Sequence, residues 1–368
     1  MTTETADAQQ EGSMPESSMH RAARIDLAVL RWRAKRARRA GCHATVIPYT
    51  GYGSTTWIRL LGRVLLTRGD QQPDVEPTGA RGWRSFTSVP VEDAQVTVLV
   101  EGRSYEVRAD HSGIVDTVLA VELGPGWHEI SLSSEGSEPV TSEVFVVDPT
   151  TRVGLVSDID DTVMVTALPR PLLAAWHTFV VNEHARSTTP GMPVLYERLT
   201  SHFSGVPVVY LSTGAWNVAP TLTRFLSRNL YPPGPLLLTD WGPTADRWFR
   251  SGQEHKRGNL ERLAEEFPDV RWLLVGDDGQ HDPMIYGEFL NRHPDQVLAV
   301  CIRQLTPGEA VLAGGSTRVR PVDEASDVPW LYAADGAGLA EELDRVGLLP
   351  DGPSQPEIDS RDSPSGRL

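Results

Sequence analysis

Beyond Asp148 the chain repeats one alternation that few folds accommodate. The runs VGLVS (153–157), VPVVYL (206–211), LLLT (236–239), WLLV (272–275) and VLAVCI (297–302) are almost continuously apolar. Between them Met192/Leu195/Tyr196/Leu199, Leu222/Phe225/Leu226 and Leu260/Leu263/Ala264/Phe267 recur at helical spacing. A strand can be apolar on both faces only when helices cover both faces, which is the habit of parallel sheets. The pattern predicts an α/β domain over 150–349, a Rossmann-like parallel sheet with helices on both sides.

The preceding segment reads differently. TTWIRLLGRVLL, QVTVLV, SYEVRA, GIVDTVLAVEL, WHEISLSS and TSEVFVV are short β-branched runs split by polar or Gly-bearing turns. They predict a small β-sandwich domain over 42–149, of immunoglobulin or transthyretin type. Residues 1–19 and 350–368 have the Pro/Ser/acid composition of disordered ends. Residues 20–41 read as a basic helix, with Ala22, Ile25, Val29 and Trp32 near one face and Arg21, Arg24, Arg31, Lys35 and Arg38 near another. That helix either packs on the next domain with its cations in solvent or lies against anionic lipid headgroups.

Composition removes several classes of function. A net charge of −15 speaks against nucleic-acid binding, which relies on clustered cations. Two cysteines, Cys42 and Cys301, cannot form a disulfide framework or a cysteine-rich zinc site. The polar start carries no secretory leader and the longest uncharged stretch, 203–223, is broken by glycines and prolines. The expectation is a cytoplasmic protein, with any membrane contact peripheral at the inner face.

In open α/β sheets the working groups gather beyond the carboxyl ends of the strands. Here every strand end carries chemistry: Asp158-Ile159-Asp160-Asp161-Thr162, Ser212-Thr213-Gly214, Thr239-Asp240, and Gly276-Asp277-Asp278-Gly279-Gln280-His281-Asp282. The rule predicts one cleft holding Asp158, Asp160, Ser212, Asp277 and Asp282. Several carboxylates in one cleft repel unless a cation compensates, and an all-oxygen set favours a hard divalent ion, Mg²⁺ first. Taken singly, Asp161 or Asp282 could instead cap a helix. Lysine usage adds a clue, since only Lys35 and Lys256 occur among 34 cationic residues, and Lys256 is expected at the start of a helix. An ammonium there suits a point charge between a phosphoryl group and a carboxylate.

The order Asp-x-Asp-x-Thr, Ser/Thr, Lys, Gly-Asp-Asp resembles the haloacid dehalogenase-like superfamily. More closely, DIDDTV, YLSTGAWN, His255-Lys256 and GDDGQHDPMIY, with TPGMPVLYERL and VCIRQL, resemble the catalytic domain of the actin-patch-associated phosphatidate phosphatases over about Val153 to Leu305. The resemblance implies a Mg²⁺-dependent phosphomonoester hydrolase that converts phosphatidate to diacylglycerol and phosphate. It implies Asp158 as nucleophile and Asp160 as general acid and base. Ser212 and Lys256 would bind phosphoryl oxygens, and Thr162, Thr213 and Gly214 would contact the substrate, Thr162 also orienting its loop. Asp158, Asp160 through its carbonyl, Asp277 and Asp282 would hold the metal, with Asp278 behind them.

Between Val163 and Gly191, where such folds insert a cap, the chain is short, which suits a large or membrane-embedded substrate. Arg170 and Arg186 could meet a lipid phosphate, and Leu172, Trp176 and Phe179 could line an acyl groove or pack as a helix. A phosphate-receiver module is disfavoured because Asp277-Asp278 follows the lysine, and a P-loop enzyme because neither lysine follows a glycine. No Gly-x-Ser-x-Gly elbow marks a serine esterase. The standing alternatives are a phosphatase of soluble sugar, polyol or nucleotide phosphates, and a lipid-binding scaffold without activity.

Overall fold

The computed structural model describes residues 31–68, 89–165, 187–239, 245–279, 281–312 and 327–350. The amino-terminal sheet has eight strands: β1 (Cys42–Ser54), β2 (Trp57–Arg68), β3 (Val89–Pro90), β4 (Gln95–Val100), β5 (Arg103–Arg108), β6 (Ile114–Ala120), β7 (Gly126–Ser134) and β8 (Val140–Val146). They pair in the order β3-β2-β1-β8-β7-β4-β5, and β6 joins on β2. All pairings are antiparallel except β1 with β8. The alternating runs expected for a sandwich therefore form one hydrogen-bonded sheet, curled so that Val46, Ile58, Val64, Val96, Val98 and Val144 meet in a common core.

β1 was not foreseen as a strand, because Pro48, Gly51 and Gly53 interrupt its alternation. The glycines are there for close approach: a Cβ on Gly53 would sit 2.2 Å from the Trp57 carbonyl oxygen, and one on Gly51 2.5 Å from that of Arg59. The helical segment 31–39 precedes β1, and Ala34 and Ala37 pack on the core. Of the predicted apolar face only Trp32 lies among the described residues, and it is corrected, since it stands 61% exposed. The short alanines let the helix lie close on β2 and β3, and the bulky indole is turned away. The predicted amino-terminal part of this helix lies outside the described residues.

The second sheet contains β9 (Val153–Asp158), β10 (Val208–Ala215), β11 (Leu236–Thr239), β12 (Arg271–Asp277), β13 (Val297–Arg303) and β14 (Trp330–Ala333). Its order is β11-β10-β9-β12-β13-β14 and every pairing is parallel. The helices are α1 (Met192–His202), α2 (Ala219–Arg228), α3 (Ala245–Glu266), α4 (Asp282–Arg292), α5 (Pro307–Leu312) and α6 (Gly336–Arg345). α1 packs on α6 and α3 on α4, two groups that right-handed crossovers assign to opposite faces of the sheet. The strand order reverses between β9 and β12, and a cleft is expected beyond such a switch point. Residues expected for the cap between 166 and 186, including Arg170, Trp176, Phe179 and Arg186, lie outside the described residues. Its two ends pair at the base, where Val165 N–H donates to Ser187 O and Thr189 N–H to Val163 O.

The two sheets share a core. Tyr49 stacks on Trp216 at 4.9 Å, and Trp57 and Tyr52 pack against Phe267. Arg59 pairs with Glu266 and Asp116, and Tyr52 donates its hydroxyl to Glu266. Phe267 in turn meets Trp272, whose ring fills the space that a side chain on Gly154 would need. Replacing Trp272 by Ala should therefore lower the free energy of unfolding by about 3–5 kcal/mol in urea titrations followed by circular dichroism. A loss below about 1 kcal/mol would deny this ring its place in the core.

Candidate active site

The carboxyl rim of the parallel sheet ends in acids that the strands hold out of water. Asp158 closes β9 and Asp277 closes β12, and both are buried. Asp282 is the first residue of α4 and is fully buried. It caps nothing with its side chain, because His281 holds the cap position. Its carboxylate instead turns back to the strand, where Asp277 N–H donates to Oδ2 at 3.4 Å. Gly276 makes that return possible, since a Cβ there would lie 2.6 Å from Asp282 Oδ2 and 2.8 Å from Tyr286.

One cation reaches this cluster from α3. Lys256 Nζ donates to Asp158 Oδ1 at 2.6 Å and to Asp282 Oδ1 at 2.5 Å, with all three side chains buried. Lys256 lies mid-helix, not at a helix start as expected, because α3 begins at Ala245 and runs through Gly252. That glycine is kept for contact, as a Cβ on it would meet the Thr213 side chain at 3.0 Å. Oxygens of Asp158, Asp277 and Asp282 lie within 4.8 Å of one another. Three carboxylates against one ammonium leave an excess of about two negative charges if all ionise.

The electrostatics follow from that imbalance. Burial pushes the Asp158 carboxyl well above the ordinary carboxylate range, Lys256 opposes the shift, and Asp282 and Asp160 add to it. Burial also raises Asp277, with Asp282, Asp158 and Asp161 reinforcing it. Burial alone would lower the Lys256 pKa, yet Asp158 and Asp282 hold it above the ordinary lysine value. Asp158 Oδ2 and Asp277 Oδ2 are buried without a hydrogen-bond partner. Orphaned carboxylate oxygens, all hard donors and close together, fit a divalent cation such as Mg²⁺.

A second group adjoins the first. Ser212, fully buried in β10, donates its hydroxyl to Asp160 Oδ2 at 2.9 Å and accepts from Gly214 N–H at 3.0 Å. Thr239 Oγ1 donates to the carbonyls of Thr213 and Gly214, tying β11 to the same loop. Asp160 sits in a turn where Asp161 takes the left-handed conformation (φ 59°) and Thr162 is fully buried. No helix begins at Asp161, so a capping role is excluded there.

Arg303 was not singled out as a site residue. It ends β13, is buried, and donates from Nη1 to Asp161 O at 2.7 Å while Nη2 pairs with Glu309 at 2.7 Å. It thereby holds the Asp161 turn in its strained geometry. A cation closing an otherwise apolar strand was the available signal. Asp278 Oδ1 accepts from Leu305 N–H at 2.8 Å and its own N–H donates to Arg303 O, so it fastens β12 to the chain after β13. Asp240 and Gln280 lie outside the described residues.

Residues 153–304 match the family model described as phosphatidate phosphatase APP1, catalytic domain. The site described above falls within those limits, which take in less than half of the chain. The phosphatidate phosphatase APP1 of Saccharomyces cerevisiae is 27% identical over 172 residues, 46% of this chain and 29% of that protein. An uncharacterised protein of Schizosaccharomyces pombe is 26% identical over 165 residues, 45% of this chain and 27% of its own. The chain thus spans less than a third of the length of these relatives. Among solved structures, a carbohydrate acetylesterase from Xanthomonas citri has a TM-score of 0.26 and 11% identity, covering 71% of this chain and 68% of that one. A likeness at that level carries no argument.

Removing the one ammonium should leave the carboxylates uncompensated. Lys256→Met is expected to lower the unfolding free energy by about 3–5 kcal/mol at neutral pH, measured in urea. Unchanged stability in the absence of divalent ions would show that Lys256 does not neutralise the cluster.

Proposed function

We propose that the chain is a Mg²⁺-dependent phosphomonoester hydrolase with a haloacid dehalogenase-like core, and that its substrate is phosphatidate. The observation that carries the reading is the meeting of Asp158, Lys256, Asp277 and Asp282 at one rim, inside the segment that matches the phosphatidate phosphatase catalytic domain. That match also supports placing the protein among phosphatases and in lipid metabolism.

Asp158 is the nucleophile of this proposal. Its carboxylate oxygen attacks phosphorus, the bond to the lipid oxygen breaks, and an aspartyl-phosphate forms. Asp160 gives the departing glyceryl oxygen its proton, so that diacylglycerol leaves neutral. In the second half, Asp160 as carboxylate takes a proton from water while the water oxygen attacks phosphorus. The bond from phosphorus to the Asp158 oxygen breaks, and phosphate leaves with the Asp158 carboxylate restored. The bond from Ser212 Oγ to Asp160 Oδ2 keeps the acid–base group oriented toward the reaction. Lys256 faces one non-bridging oxygen, and Ser212, once its hydroxyl turns from Asp160 to the bound phosphate, faces another, where charge spreads in a loose transition state.

Asp158, the Asp160 carbonyl, Asp277 and Asp282 would hold Mg²⁺. The bound ion supplies the charge that lets an anionic nucleophile meet an anionic phosphate. Arg303 acts through the turn it grips. The protein works in this reading in the cytoplasm, at the inner face of the membrane. Among the described residues no helix is long and apolar enough to cross a membrane, which is compatible with a peripheral position.

The test is phosphate release from phosphatidate in mixed micelles against a panel of soluble sugar, polyol and nucleotide phosphates, each with and without EDTA. The proposal expects Mg²⁺-dependent release with phosphatidate preferred, complete loss in Asp158→Asn, and a fall of about 10²–10⁴-fold in Asp160→Asn. Preference for the soluble panel would give the site to a small-molecule phosphatase. Near-normal turnover in Asp158→Asn would remove the nucleophile.

A further inference from the structure

The position of β2 along the parallel sheet fixes where the basic helical segment stands relative to the candidate site. Arg59 pairs with Glu266, the last residue of α3, just before β12 begins and therefore at the amino rim. Arg63 donates from Nη1 to Asn217 Oδ1, two residues past β10 and therefore at the carboxyl rim. β2 thus climbs the flank of the sheet from one rim to the other. It then continues from Val64 to Arg68, five residues that rise about 17 Å beyond the rim at ~3.3 Å each. The segment 31–39 packs on that projecting end, beside Leu66, Pro90 and Val91. It stands toward the carboxyl end of the parallel sheet, the end at which Asp158 and Asp277 close their strands.

The segment's chemistry is concentrated. Arg31, Arg33, Lys35, Arg36, Arg38 and Arg39 fall within nine residues that contain no acid, in a chain of net charge −15. Trp32 is 61% exposed, with the Arg36 guanidinium 5.8 Å from its ring centre. Between the segment and the sheet runs a groove of about 690 Å³ whose lining includes Lys35, Arg38, Arg39 and His111. Its acid, Glu92, is paired with Arg31. An exposed indole amid arginines is the composition that settles at a lipid headgroup layer, apolar ring in, cations against phosphate.

We infer that the face made by segment 31–39 and the projecting end of β2 docks on an anionic phospholipid bilayer, with the carboxyl rim turned toward the same surface. The inference deepens the phosphatidate reading and rests on it for the choice of a bilayer as occupant. Charge complementarity selects the anionic lipid, and the placement of helix and carboxyl rim at the same end of the molecule gives the contact a use: it brings lipid headgroups to the end of the sheet where the acids lie.

Co-sedimentation of the full chain with phosphatidylcholine vesicles, and with vesicles also containing phosphatidylglycerol, tests this. Phosphatidylglycerol is a diester, so binding is read apart from turnover. The wild-type protein should sediment with the anionic vesicles, stay in solution with the neutral ones, and be released by high salt. Lys35→Glu/Arg38→Glu/Arg39→Glu should weaken binding at least tenfold, since each cation contributes about fivefold. It should still hydrolyse soluble p-nitrophenyl phosphate at the wild-type rate while losing turnover of phosphatidate in anionic vesicles. Equal binding to neutral vesicles, binding indifferent to salt, or unchanged binding of the triple variant overturns the docking face. Retention by duplex DNA with vesicles left unbound would also overturn it and assign the strip to nucleic acid. If docking behaves as expected but no phosphatidate is hydrolysed in micelles, the function fails and the docking face stands.

Discussion

Two short bonds from one ammonium hold the functional end of the parallel sheet together. Lys256 joins Asp158 at the end of β9 to Asp282 at the start of α4, and Asp277 stands beside them. Without a counter-charge, three buried carboxylates in that space would protonate or push their elements apart. The lysine compensates part of the charge and leaves the rest, and the proposed divalent ion would take up that remainder.

The amino-terminal sheet is more than an appendage to this site. Tyr49 stacks on Trp216 and donates its hydroxyl to the Trp216 carbonyl, and Arg63 reaches Asn217. Both contacts fall just beyond Ser212, Thr213 and Gly214, on the loop that positions Ser212 against Asp160. On the far side of the cluster Arg303 grips the Asp161 turn. The loops of the candidate site are thus clamped from both flanks by cations and rings that belong to other parts of the chain.

Much of this was legible in the sequence, for reasons that can be named. β9 to β13 are buried on both faces, so their apolar runs were continuous, and the ends of β9 and β12 were marked by acids that burial would not ordinarily permit. The weaker signals came where local pattern and tertiary packing part company. β1 carries glycines for the close passage of β2, β14 is four residues of an edge strand, and Trp32 was placed on the wrong helical face because Ala34 and Ala37 make the closer contact. Lys256 is legible as a lone lysine, but its helix begins eleven residues earlier, at Ala245, and runs through Gly252, whose close contact with Thr213 only the packing reveals. Arg303 and the Tyr49–Trp216 stack depend on residues more than a hundred positions apart, which no local spacing encodes.

The most direct measurement of the central claim is where phosphorus resides during turnover. Protein mixed with phosphatidate labelled in its phosphoryl group and Mg²⁺, quenched in acid within one turnover and digested, should carry the label on the peptide containing Asp158. Steady phosphate release with no label on that peptide, or with the label on another residue, would contradict the account.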